Sequence, residues 1–283
     1  MPLYDIGAKF LVSTSKHFIE TPLFHFSLFA FIGLLIIYKS IIKESSYYGL
    51  SILIFYNIFL LPYIFNGMMQ GISAALLLLS TSVIAQRKLK STIIVTTIAL
   101  SFHLTGLLII VAYFIYPLKL NKHYYLFILI ISIVLWQSNI TETLFYKAGS
   151  EFLPKQIFNR INLYIRNFDE PINLQRIAQR LIIFFLIFFH FDKLKNVGKF
   201  KGMFNIYFVG LIIYLIIGFT GLYASRVNMF FRFYEILLIP MIFNVIDHRR
   251  KLIYFGFIVL WGILVLSSNF TKITYYPFKT WLF

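Results

Sequence analysis

Six arginines, Arg160, Arg166, Arg176, Arg180, Arg226 and Arg232, fall between or inside long apolar runs of a 283-residue chain. A guanidinium beside or within a hydrocarbon zone is costly and marks a polar pathway or an anionic ligand. Its planar fork binds phosphate oxygens bidentately, so several arginines converging on one cavity suit a diphosphate. Arg176 and Arg180 lie one turn apart, whereas Arg226 and Arg232 bracket the start of a later run. Six residues turn an ideal helix by about 600°, so that second pair shares a face only if the backbone bends between them. Arg232 lies inside the apolar run and is the first choice for a phosphate contact. Glu235, three residues on, is equally placed to neutralise it, and Arg176 to snorkel toward head groups.

His103 sits deep in Ala99-Leu-Ser-Phe-His103-Leu-Thr-Gly106, where an ionisable group is a functional hypothesis by default. It suits a general base or a phosphate contact, and its plainer reading is a satisfied packing residue. Asn66 and Gln70 stand four residues apart, which puts both amides on one helical face, with Gly71, Ala74 and Ala75 allowing a neighbour to approach. They suit sugar hydroxyls, or simply interhelical hydrogen bonding. Among the ten acidic residues, Glu142 and Asp169 are the carboxylates singled out as alternative bases, although Asp169-Glu170-Pro171 also reads as a solvated turn. No acidic pair has metal-ligand context and no glycine-rich phosphate loop is present, so neither a metal nor a cofactor is expected.

The elements that must hold these groups are membrane helices. Mean hydropathy is +0.82, with 60% hydrophobic and only 13% charged residues, against roughly 25% charged in soluble domains. The length predicts an all-α, polytopic transmembrane bundle of about eight to ten spans, at roughly 20 residues each, forming a single transmembrane domain over 1–283. Cysteine is absent, which excludes disulfides, thiolate metal sites and a cysteine nucleophile. A formal charge of +16 clusters beside apolar runs, where it sets topology and touches anionic lipid, so nucleic-acid binding is not expected.

Apolar runs cover 23–42, 47–65, 69–86, 91–116, 124–140, 177–191, 203–221, 229–246 and 252–269. If 91–116 is a broken or re-entrant segment, every strongly basic short loop stays on the cytoplasmic side, as the positive-inside bias requires. Ser101, His103, Thr105 and Gly106 are the residues expected to line such a break. The segment 141–176 is then an extracytoplasmic loop, and the polar stretch Met1 to Glu20 lies on the same outer side. A multi-span chain that begins outside with a polar leader also predicts one or more missing N-terminal spans.

The order Asn66-Gly-Met-Met-Gln70-Gly-Ile-Ser-Ala, a short Arg87-Lys88 turn and Ile98-Ala-Leu-Ser-Phe-His103 resembles EpsG-like, Wzy-type polymerases of bacterial exopolysaccharide, capsule or O-antigen. Arg226 to Arg232 running into Leu238-Ile-Pro240, and the closing Tyr275-Tyr-Pro-Phe278, look like that family's C-terminal pattern. The family's third-span motif is similar to Asn-x-x-Arg-Gln, and Met69 occupies the arginine position here. The resemblance implies a metal-independent glycosyltransferase of the cytoplasmic membrane, active on its outer face. It would transfer a growing glycan from undecaprenyl diphosphate to the sugar hydroxyl of another lipid-linked oligosaccharide repeat. Arg180, Arg226 and Arg232 would hold the diphosphate, His103 or an outer carboxylate would assist the acceptor, and Asn66, Gln70 and Tyr275 would contact sugar. A chain-length regulator and the flippase of the same pathway are the further partners implied. A flippase for the same lipid-linked glycan and an intramembrane acyltransferase are the competing classes.

Overall fold

A computed structural model of the chain describes residues 6–152, 155, 158, 159, 162, 163, 165 and 170–270, with side chains described up to 268. Among the described residues every regular element is helical. The order is α1 (Ile6–Lys16), α2 (Pro22–Glu44), α3 (Tyr48–Ile54) running directly into a π-helix (Phe55–Asn66), α4 (Met68–Leu79), α5 (Thr81–Ala85) and α6 (Leu89–Phe102). A 3-10 turn (Leu104–Leu107) leads to α7 (Leu108–Ile115), then α8 (Lys122–Gln137) and α9 (Ile140–Phe152). Further along the chain come α10 (Leu174–Phe188), α11 (Phe191–Leu194), α12 (Phe200–Ile216), α13 (Gly221–Arg232), α14 (Glu235–Ile242) and α15 (His248–Phe270).

Helices α12 and α14 form the centre. All eight residues of α14 are buried, as expected of a helix that is apolar all round. Asn205 of α12 is the polar staple of this core: its amide donates to the carbonyls of Tyr116 and Leu118 at 3.0 and 2.9 Å, and its oxygen accepts from the Tyr125 hydroxyl. The outer helices instead present large apolar side chains, among them Phe31, Ile130, Val134, Leu260 and Leu264. Lipid, not water, is the solvent such faces require.

The expected break in 91–116 falls at His103, where α6 ends and the 3-10 turn begins. The chain then doubles back. Tyr113, near the end of α7, is bound to Arg87, just before α6: the guanidinium donates to the Tyr113 carbonyl and lies 3.6 Å over its ring, and the Tyr113 hydroxyl donates to the Arg87 carbonyl at 3.2 Å. Gly106 makes the reversal possible. A Cβ there would stand 2.4 Å from backbone atoms of Ala99 and Leu100, so only glycine lets the returning strand touch α6.

Three helices are long and apolar enough to cross a membrane singly, Pro22–Glu44, Tyr48–Asn66 and His248–Ser268, and a fourth crossing results if α8 and α9, bent by 72°, count as one. Several of the expected continuous spans are assembled from shorter pieces. The run 69–86 breaks at Ser80, where the Ser80 and Thr81 hydroxyls donate to carbonyls three residues back at 2.8 and 2.7 Å, a local bond that competes with the helical ladder. The run 229–246 turns between α13 and α14. The expected loop at 141–176 likewise opens as helix α9 rather than irregular chain.

The basic loops converge on one end of the bundle. Glu44, its side chain 1% exposed, binds Lys199 at 2.5 Å, accepts from the backbone N–H of Ser82 at 3.2 Å and also takes the Ser82 hydroxyl, joining α2, α5 and α12. Asp192 takes Lys122 at 2.6 Å and Lys195 at 3.2 Å, and these ammonium groups hold its carboxyl below the usual range. At 1.5 Å per residue, the 23-residue α2 carries the chain roughly 35 Å from that end to the other.

Candidate active site

At the end away from the basic loops, six elements leave a cavity of about 900 Å³. It is walled by the end of α1, the first turns of α2, the end of the π-helix, the start of α4, the His103 turn and the first half of α13. The π-helix belongs to this design. Pro62 has no N–H to give a normal α-helical turn, and the Gly67 N–H closes a wider turn onto the Pro62 carbonyl at 2.9 Å. Gly71 lies so close to the Tyr63 carbonyl that a Cβ would stand 2.5 Å from it, which seats α4 tightly against the π-helix. Wide turns of this kind are frequent at functional sites.

Asn66, Gln70, His103 and Arg226 all line this cavity. A second cavity of about 690 Å³ has both His103 and Arg226 in its wall, together with Leu104, Thr105 and Tyr223. The two chambers therefore share a cationic partition. Arg226 is exposed there, and among the described residues its guanidinium forms no ion pair with a carboxylate. Gln70 Nε2 donates to the Arg226 carbonyl at 2.7 Å. Asn66 and Gln70 do not share one helix as their spacing suggested, because the break at Gly67 separates the π-helix from α4. The cavity reunites them.

His103 has extended backbone and caps the 3-10 turn: its Nδ1 accepts the Thr105 N–H at 3.2 Å and lies 2.8 Å from the Thr105 hydroxyl. A backbone N–H only donates, so Nδ1 supplies a lone pair and the neutral ring carries its proton on Nε2. The imidazole is thereby a hydrogen-bond donor, the role suited to a phosphate oxygen rather than to base catalysis.

Arg232 lies elsewhere. Its guanidinium is clamped side-on by Glu235, Nε to Oε1 at 2.6 Å and Nη2 to Oε2 at 2.8 Å, with both residues buried. It rests 5.6 Å from the Phe59 ring centre. Phe59 packs on Phe233, which meets Tyr63 edge-on at 5.0 Å, and Tyr63 lines the cavity. Among the residues lining the two cavities, Arg232 is replaced by this aromatic wall. The neutralising arrangement open to Arg232 and Glu235 from their spacing is the one the fold adopts.

Arg180 lies 5.5 Å from the Tyr214 ring centre and its buried Nε has no hydrogen-bond partner; it lines neither cavity. Arg176 is exposed, its N–H bound by the Asn173 side chain at 2.9 Å at the start of α10. Glu142 sits in the first turn of α9, also away from both cavities. Asp169, Tyr275, Arg160 and Arg166 lie outside the described residues. Among the described residues no group of three or more His, Cys, Asp or Glu side chains could hold a metal ion.

The polar segment before the first long span, and that span's first turn, contribute more than the sequence suggested: Lys16, Glu20 and His25 all line the larger cavity. The available signal was the density of ionisable residues: Lys16, His17 and Glu20 immediately before an apolar run and His25 at its start. Met69, at the arginine position of the resembled motif, also lines it. No curated protein and no solved structure matches the chain. A family model described as the EpsG family does match, over residues 2–280. With a match of that extent, this helical membrane protein belongs to the EpsG family, whose function is broadly of the polysaccharide-polymerase type.

Proposed function

We propose that the chain joins undecaprenyl-diphosphate-linked oligosaccharide repeat units into exopolysaccharide, capsule or O-antigen on the outer face of the cytoplasmic membrane. The observation that carries this reading is the pair of chambers divided by Arg226 and His103. A polymerase must hold two lipid-linked glycans at once, and a shared cationic partition is where a diphosphate leaving one of them would be met. The cavity end faces outward in this reading, because the positive-inside bias assigns the basic end to the cytoplasm. The shorter helices complete further crossings in end-to-end pairs, α4 with α5 and α13 with α14.

Negative charge grows on the lipid diphosphate as its bond to the anomeric carbon breaks. Arg226 offers a bidentate fork and His103 an Nε2–H donor, and donors aimed at developing charge are a large term in catalysis. Asn66 and Gln70 supply amide groups beside them for sugar hydroxyls. The test is the glycan size distribution in a polymerase-deleted host carrying this chain or its Arg226→Ala variant at equal level. The expected result is long polymer restored by the unmutated chain and single repeats with the variant. A well-expressed unmutated chain that restores no polymer would overturn the reading, and loss of export with normal chain length would point to a flippase.

A further inference from the structure

The two chambers differ in the chemistry of their walls. The larger carries Lys16, Glu20 and His25 beside the amides of Asn66 and Gln70, whereas the smaller is lined, apart from the shared Arg226 and His103, by Leu104, Thr105, Leu107, Leu108, Tyr223 and Val227. Helix α13 faces both. Leu222, Ser225, Arg226 and Met229 follow one another at helical spacing along the larger chamber, and Tyr223, Arg226 and Val227 along the smaller. Arg226 is thus the residue where the two stripes meet. The opposite wall of the smaller chamber is the 3-10 turn, in which side chains three residues apart eclipse. Leu104 and Leu107 therefore stand together, and both are exposed, at 53% and 44%. The Thr105 hydroxyl is held 2.8 Å from His103 Nδ1, so beyond the partition the side chains of the turn offer a ligand chiefly hydrocarbon. A leucine rim of this kind on a membrane bundle opens onto lipid rather than water.

We infer that the smaller chamber seats the prenyl end of the donor, with the isoprene units next to the diphosphate against Leu104, Leu107, Leu108 and Val227. The diphosphate then stands at Arg226 and His103, and the glycan extends into the larger chamber. This assignment rests on the polymerase reading above and gives each part of its lipid-linked substrate a wall of its own. Such a substrate is hydrocarbon, then anion, then polyol along its length. The surfaces across the partition come in the same order: leucine and valine, then guanidinium, then amides and ionisable groups. The reverse placement would press hydrocarbon against Lys16 and Glu20 and strip water from their charges. No apolar contact would offset that cost, because lipid already solvates a prenyl chain as well as leucine does. The volume of the smaller chamber, about 690 Å³, falls in the range of roughly 300 to 1,000 Å³ of small-ligand sites. It has room for the first isoprene units, and the rest of the chain stays in the surrounding lipid.

The test is a prenyl diphosphate carrying a photoreactive diazirine on its second isoprene unit, added to the purified full-length protein in lipid nanodiscs. Labelling is expected on residues 104–108, Tyr223 and Val227. In parallel titrations geranyl diphosphate, which starts in water, should bind roughly 10-fold more tightly than inorganic diphosphate, the factor that about two buried methylene groups supply. Leu107→Trp fills the chamber at its exposed rim; it should make the two ligands equal and leave inorganic diphosphate binding unchanged. If that variant does not fold, Val227→Phe is read by the same criteria. Labels on Phe26, Phe29 or Phe65 of the larger chamber, or spread evenly over outer residues such as Phe31 and Leu260, would overturn the assignment and leave the polymerase reading standing. So would a filled chamber that keeps the preference for geranyl diphosphate. Labelling that an anionic two-chain phospholipid removes as readily as undecaprenyl diphosphate would also overturn it, by making the chamber a general lipid site. Labelling of the smaller chamber in a well-expressed chain that restores no polymer would keep the prenyl seat and overturn the polymerase reading alone.

Discussion

Gln70 Nε2 donates to the main-chain carbonyl of Arg226 across 2.7 Å, tying the first turn of α4 to the middle of α13. This bond joins two sequence motifs 156 residues apart and sets the height at which the Arg226 guanidinium meets the cavity. Gln70→Leu keeps the approximate volume and removes the donor. The expected cost is about 0.5 to 1.5 kcal/mol, read as a lowered melting temperature of the solubilised protein. Shorter glycan should accompany it, as Arg226 loses its register.

Arg226 itself is exposed at the partition and forms no ion pair among the described residues, so removing it should leave the fold standing. Arg226→Ala is expected to weaken undecaprenyl diphosphate binding by roughly 10- to 100-fold, the equivalent of the 1.5 to 3 kcal/mol of a charge-assisted hydrogen bond. Arg226→Lys should recover only part of it, because an ammonium cannot reproduce the fork. A binding titration against the lipid diphosphate, alongside an unchanged melting temperature, checks both statements.

Arg232 and Glu235 predict the reverse pattern. Either Arg232→Ala or Glu235→Gln leaves one buried group without its partner, at a cost of about 3 to 5 kcal/mol. The measurable outcome is a collapse in folded yield for each single variant. The double change Arg232→Met with Glu235→Leu should regain most of that yield, since a packed apolar pair replaces a buried ion pair at little net cost.

Gly106 and Gly49 form a matched pair of glycine tests. A Cβ at Gly106 would meet Ala99 and Leu100 backbone at 2.4 Å, whereas at Gly49 nothing lies within 4 Å. Gly106→Ala should therefore open the α6–α7 hairpin and abolish polymer. Gly49→Ala, in an exposed helical turn, should be neutral or stabilise by up to about 1 kcal/mol. Melting temperatures and glycan length of the two variants decide the matter.

Helical class and the broken segment at His103 were legible in the sequence, because hydropathy and charge placement act residue by residue. Asn66, Gln70, His103 and Arg226 were also legible as candidates, since polar groups in apolar runs stand out. Which of them meet was not, because that depends on how helix ends converge in space. Arg232 shows the difficulty: an arginine three residues from a glutamate looks the same in sequence whether it faces a ligand or its neighbour. Lys16 and Glu20 were missed for a different reason. The polar N-terminal stretch reads as a leader outside the membrane, and only its packing against the His103 turn reveals it as a wall of the cavity; Gly7, whose Cβ position lies 2.5 Å from the Ser101 hydroxyl, marks that contact.

The length of α6 has one more effect. Its 14 residues raise the chain only about 21 Å from the Arg87 end before His103 breaks it, against a hydrocarbon thickness of roughly 30 Å. With the Arg87 end at the cytoplasmic boundary, as proposed above, the polar chamber reaches about a third of the way into the bilayer, and the insulating layer beneath it is correspondingly thin. A prenyl tail can remain dissolved among its neighbouring lipids while its head group slides in sideways at that depth, without being lifted into water. In the orientation proposed above, the same thinning concentrates the membrane's voltage drop across the hairpin and leaves the partition between the chambers near the potential of the outer medium.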